Sequence, residues 1–137
     1  MLFQRIKRAD PEKIFMICHH DPNASASLVN GDLVTFPTSG TGVILGTSVK
    51  KSSGATDIPC GVAAGTIPTG DYGLIQVFGY HSSVKSASGT VGTGLIPSAT
   101  TGNVANGAGA GDSPYLAIGY PLLAHSVDRT GVFIRLM

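Results

Sequence analysis

YGLIQVFGYH, residues 72–81, reads as a β-strand with two unlike faces. Side chains of a strand alternate, so Leu74, Gln76, Phe78 and Tyr80 point one way, while Ile75, Val77, Gly79 and His81 point the other. The second set is the more apolar near its middle. Pro68-Thr69-Gly70-Asp71 sets up a turn immediately before it, because proline fixes φ and glycine supplies the conformations that tight turns need.

Working outward, the same rhythm recurs. Residues 58–64 (IPCGVAA) are extended and apolar, and Asn30-Gly31-Asp32 is a turn signal followed by the strand LVTF. Residues 37–42 (PTSGTG) form another turn. Residues 42–49 (GVILGTSV) read as a strand, with a possible bulge at Gly46, and residues 50–54 (KKSSG) as a polar hairpin tip. Residues 13–20 (KIFMICHH) suit a strand buried on both faces, closed by Asp21-Pro22-Asn23. Downstream, residues 86–111 hold no charged side chain, and Leu95-Ile96-Pro97 is their apolar island, read as a strand flanked by turns. Residues 115–124 (YLAIGYPLLA) and 131–137 (GVFIRLM) complete the set.

The expected fold is therefore all-β: a small single-domain antiparallel β-barrel or sandwich of about eight short strands with an extended N-terminal arm. Residues 1–13 are the arm and residues 14–137 the β domain, with residues 86–113 as a long Gly/Ser/Thr/Ala-rich segment. The 19 glycines and 8 prolines oppose long helices, since each disfavours a helix interior. One short helix near residues 113–115 or in the arm is compatible with the pattern.

Composition narrows the function. Of 137 residues 42% are hydrophobic and 12% charged, about half the usual charged share of roughly 25%, with a net charge of +1. Such a chain has the composition of a folded domain and not of a disordered one, and its uncharged skin is expected to meet other protein. No run approaches the roughly 18 apolar residues of a membrane span, and no apolar signal core follows the N-terminal MLFQRIKR. Cys18 and Cys60 each lie in an apolar segment and read as two reduced, buried thiols, a disulfide being the alternative.

Candidate chemistry is sparse. Glu12 is the one glutamate, and most of the seven aspartates stand beside glycine or proline, where a turn explains them. His19-His20-Asp21 is the most metal-like cluster, with Cys18, His81 and His125 as possible additions, but adjacent strand residues face apart and do not share an ion easily. There is no G-x-S-x-G elbow. Residues 65–70 (GTIPTG) lack the lysine of a phosphate loop, and residues 107–112 (GAGAGD) lack the third glycine and the βαβ unit of a dinucleotide site. The reading is a non-enzyme with no catalytic residues, no metal and no cofactor.

Four of the nine basic residues fall in the first thirteen positions, at Arg5, Lys7, Arg8 and Lys13. Basic clusters are the footprint of nucleic-acid binding, but no aromatic platforms are interleaved here, which argues against a nucleic-acid partner. The arm reads either as a solvated lead-in or as a partner-binding segment, with Leu2, Phe3 and Ile6 as apolar contacts and Arg5, Lys7 and Arg8 as charged ones.

Three segments taken together, residues 5–36, 60–80 and 131–137, resemble a group of small tailed-bacteriophage capsid decoration (cement) proteins. The matching elements are Ser27-Leu28-Val29-Asn30-Gly31-Asp32, then Gly61-Val62-Ala63, Gly70-Asp71-Tyr72-Gly73, Gln76-Val77 and Gly79. The resemblance implies a virion protein on the outer capsid surface, assembled in the host bacterial cytoplasm. It also implies a homo-oligomer, a trimer in preference to a dimer, that bridges or stabilises the phage major capsid protein. Two other readings compete: a low-copy tail, neck or fibre component, and a carbohydrate-binding surface module using Tyr72, Tyr80, Tyr115 or Tyr120.

Overall fold

The protein is described here by a computed structural model, which covers residues 12–38, 40–54, 57–86, 90, 91, 93–98, 100, 102–106, 117–122 and 129–136. Among these, nine strands form: β1 Ile14–His20, β2 Leu33–Thr35, β3 Ser48–Lys51, β4 Pro59–Ala63, β5 Tyr72–Lys85, β6 Leu95–Pro97, β7 Val104–Asn106, β8 Gly119–Pro121 and β9 Arg129–Arg135. The all-β expectation holds, and the barrel form of it is the one adopted. β1, β3, β2, β4 and β5 pair in that order, and β5 returns to β1, closing a five-stranded ring. Within the ring the β1–β3 pair is parallel, with His19 opposite Ser48, and the other pairs are antiparallel.

β5 is long enough to serve two structures. Its first half pairs with β1 and β4, and from Phe78 onward it pairs with β9. β9, β8, β6 and β7 then follow side by side. A parallel bridge between Ser86 and Val104, with the Ser86 hydroxyl donating to the Val104 carbonyl at 3.3 Å, brings β7 back to the end of β5. The strands beyond the ring thus curl back toward β5, touching it through this one bridge.

Two apolar cores result. The ring encloses Cys18, Leu28, Val34, Val49, Cys60, Ala63, Ile67 and Ile75. The curled sheet encloses Val84, Leu95, Val104, Ile118, Val132 and Ile134 together with Leu33 and Val62. β2 and β4 lie between them, feeding Val34 and Cys60 to one core and Leu33 and Val62 to the other. That is why every residue of β4 is buried and why it reads as an unbroken apolar run. Burial raises the thiol pKa of Cys60 strongly, with Cys18 beside it adding to the effect, and raises that of Cys18 as well, which favours protonated thiols; the two cysteines are free and buried in the structure.

At the seam between the cores sits Asp32, fully buried. Lys51 of β3 reaches its Oδ2 at 2.8 Å and Lys85 at the end of β5 reaches its Oδ1 at 2.6 Å. The Val29 amide also donates to Oδ2 at 2.9 Å. The turn reading of Asn30-Gly31-Asp32 accounts for the backbone here, with the Asp32 amide donating to Val29 O at 3.0 Å, but the carboxylate does far more than shape a turn.

Three other expectations change. Residues 42–49 are a strand only from Ser48 onward. Gly42 and Gly46 take left-handed φ values of 76° and 79°, and the Ser48 hydroxyl accepts from the Ile44 amide at 2.8 Å, which closes a local turn in place of a ladder. The polar tip at 50–54 accordingly begins inside β3, and Asp57 Oδ2 accepts from the Ser53 and Gly54 amides to hold the turn that follows. β7 is an additional strand within the uncharged segment. Gln76, which alternation sets on the same, less apolar side as Leu74, is buried between Phe15 on one side and Val62 on the other. The two short-helix positions, residues 113–115 and the arm up to residue 11, lie outside the described residues, as does the whole of the segment 107–116.

Three expected outcomes test the seam and the close backbone approach at Gly79. Asp32→Ala leaves two lysines without their common partner and is expected to cost about 3 kcal/mol, measured by urea unfolding. Lys51→Met or Lys85→Met alone should cost about 1 kcal/mol, since each ammonium is partly solvated and the other remains. Gly79 has a φ of 97°, and a Cβ there would collide with the Glu12 carbonyl. Gly79→Ala is expected to destabilise by about 2 kcal/mol or more, with a correspondingly lowered Tm.

Candidate functional site: an apolar face and an adjoining cleft

Alternation along β1 sends Met16, Cys18 and His20 inward and Phe15, Ile17 and His19 outward. The sequence reading of a strand buried on both faces is therefore corrected: among the described residues no layer covers the outer side. Antiparallel register sets Ile17 opposite Leu74 and His19 opposite Tyr72. Ile17 is 70% exposed, Tyr72 62%, Leu74 49% and Phe15 41%. These side chains form one stripe across two neighbouring strands.

The stripe continues past β1. The His19 and Tyr72 rings lie 4.9 Å apart at a tilt of 45°. The His19 ring is fixed at both nitrogens, with Nε2 donating to Gly70 O at 3.0 Å and Nδ1 3.3 Å from the Ser48 hydroxyl. That same hydroxyl accepts from Ile44, which with Leu45 projects into solvent from the turn before β3. A contiguous apolar patch rimmed by polar groups is the usual mark of a protein-binding surface.

At the Phe15 end the stripe meets a cleft of about 190 Å³ lined by Lys13, Phe15, Asn30, Ala64, Gln76, His81 and Ser82. Its inner residues are buried and polar. The Gln76 amide donates to Phe78 O at 3.2 Å. His81 Nδ1 accepts from the Ser83 amide at 3.2 Å, which fixes the neutral ring. Burial lowers the His81 pKa, a contact with the Ala63 backbone opposes this, and the positive charges of Lys13 and Arg129 lower it further.

The arrangement offers anchorage for a partner surface. His20, turned inward, donates from Nδ1 to the Ile67 and Pro68 carbonyls at 3.0 and 3.1 Å, so the two histidines face apart as their adjacency requires. Among the described residues no three of His, Cys, Asp and Glu come together in a metal-holding group. Leu2, Phe3, Arg5, Ile6, Lys7 and Arg8, the expected partner-binding residues, lie outside the described residues. Of the four tyrosines considered for sugar stacking, Tyr72 and Tyr120 are exposed, Tyr80 is half-buried and Tyr115 lies outside the described residues. Sequence reasoning missed Phe15 and Ile17 as surface residues. The signal for them was the alternation in FMICHH, obscured because both alternating sets are apolar at their start.

No protein-family model matches the chain, and no curated protein matches it. Among solved structures it is similar to the N base of the head fiber gp8.5 of bacteriophage phi29, with a TM-score of 0.60 over 90% of this chain and 94% of that chain. The two sequences are 15% identical, so the likeness is one of fold.

Proposed function

We propose that this chain is a structural protein of a bacteriophage virion, without catalytic activity, that attaches to other virion proteins through the outer face of β1 and β5. The observation that carries this reading is the fold itself, shared over nine-tenths of both chains with the base of a phage head fiber. The surface supports it. The five-stranded ring is closed and the strands beyond it curl back toward β5, which leaves little free edge for β-strand addition among the described residues and favours binding through side-chain faces. An apolar stripe on a chain with 12% charged residues is suited to that.

In its finer form the proposal is a decoration protein on the outer capsid surface. A symmetric oligomer, a trimer in preference to a dimer, bridges or stabilises major capsid protein subunits, and repetition of weak contacts supplies avidity. A second reading, the base of a low-copy head fibre, is favoured by the neighbour being such a base. Copy number separates the two. Quantitative mass spectrometry of purified particles is expected to find the chain at a fixed ratio to the major capsid protein. A near-stoichiometric ratio selects decoration, a handful of copies selects the fibre base, and absence from particles overturns the virion reading.

A further inference from the structure

We infer that the face of β1 and β5 takes an extended apolar segment of a partner protein that carries an acidic side chain, and that the acidic group seats in the cleft beside Lys13. The inference rests on the virion reading and specifies the partner's chemistry.

Two features that share one residue carry it. Phe15 belongs to the stripe, opposite Gln76 in the β1–β5 register, and also lines the cleft. A segment lying along Ile17 and Leu74 therefore runs over Phe15 into the cleft without leaving the surface. Among the described residues the cleft's charge is one-sided: Lys13 is the charged one of its described lining residues, and none of them is a carboxylate. Glu12 precedes Lys13 in the chain but is not part of the lining. Burial chiefly holds the neighbouring His81 toward its neutral form, and the positive charges of Lys13 and Arg129 add to it. Asn30 and Ser82 add neutral hydrogen-bonding groups at the rim. An apolar ligand would leave these polar groups unpaired, and a basic one would meet Lys13, whereas a carboxylate is complementary to both.

The two parts of the surface should answer differently to salt. A carboxylate held by an exposed ammonium is screened over about 8–10 Å at moderate ionic strength, and apolar contact is not. The test measures binding of the purified full-length chain to particles of its phage that lack it, by co-sedimentation, with Lys13→Glu, Ile17→Ser and Leu74→Ser variants. All three substituted side chains are exposed, and unchanged thermal unfolding confirms that the variants fold. Lys13→Glu is expected to weaken binding by about tenfold or more at about 50 mM salt, and by much less at about 500 mM. Ile17→Ser and Leu74→Ser should each weaken it by about tenfold at both. Wild-type binding by Lys13→Glu overturns the acidic anchor, and wild-type binding by both serine variants overturns the stripe. Either result leaves the virion reading standing, whereas failure of the unaltered chain to bind particles removes that reading itself.

Discussion

A carboxylate with no exposed surface, held by two lysines from different strands, is the constraint on which the rest of this architecture turns. Asp32 directly precedes β2, and its backbone is committed as fully as its side chain: its carbonyl accepts from the Ala63 amide of β4 at 2.9 Å. One residue therefore ties the start of β2 to β3, β4 and the far end of β5. Taking the carboxylate out of water is costly, and what offsets the cost is that both ammoniums and the Val29 amide arrive together. They do so only in one register. Lys51 lies opposite Val34, and Lys85 opposite Arg129. A slip of one residue would turn either lysine to the other face of its sheet and strand the charge.

That seam explains how a chain with such short strands holds two cores. Strands of three residues, such as β2, β6, β7 and β8, offer little ladder to hold them individually. They are stable because each sheet curls and shares β5 with the other, so the same long strand organises both apolar interiors. β2 and β4, packed on both sides, then become the partition between the cores. Curling also consumes strand edges. The polar backbone turns inward to its own partners, and what remains for other molecules is the pattern of side chains on the outer faces.

The fold was legible where one strand met one core. In β5 Ile75 and Val77 are buried and Leu74 is exposed as alternation requires, with buried Gln76 the exception, and Gly79 is where the Glu12 carbonyl comes close. It was illegible where distant residues decided the outcome. Asn30-Gly31-Asp32 has the composition of an ordinary turn, and nothing local reveals that lysines from two other strands converge on the aspartate. Residues 42–47 have the β-branched and apolar content of a strand, yet a serine hydroxyl and two left-handed glycines bend them into turns. Val104–Asn106 carries one large apolar residue and gives no periodicity to read. The candidate site was half legible for a related reason. Phe15 and Ile17 are apolar like core residues, and only the pairing of β1 with β5 and β3 shows that the inward places are taken by Met16, Cys18 and His20.

The juxtaposition of stripe and cleft resolves a tension in the composition. An apolar face is adhesive without being selective, since contact area is indifferent to the direction in which a partner lies. A protein with few charges has little long-range electrostatics to steer it, so selectivity must come from short-range placement. Lys13 sits at one end of the stripe, beside buried amide and imidazole groups whose own hydrogen bonds are already fixed. A single charge in that position distinguishes one end of the face from the other and, on the proposed partner chemistry, would set the polarity of a segment lying along it. On the proposed decoration reading, many identical copies would then adopt the same orientation on a repeating surface, and small free energies per copy would add in phase.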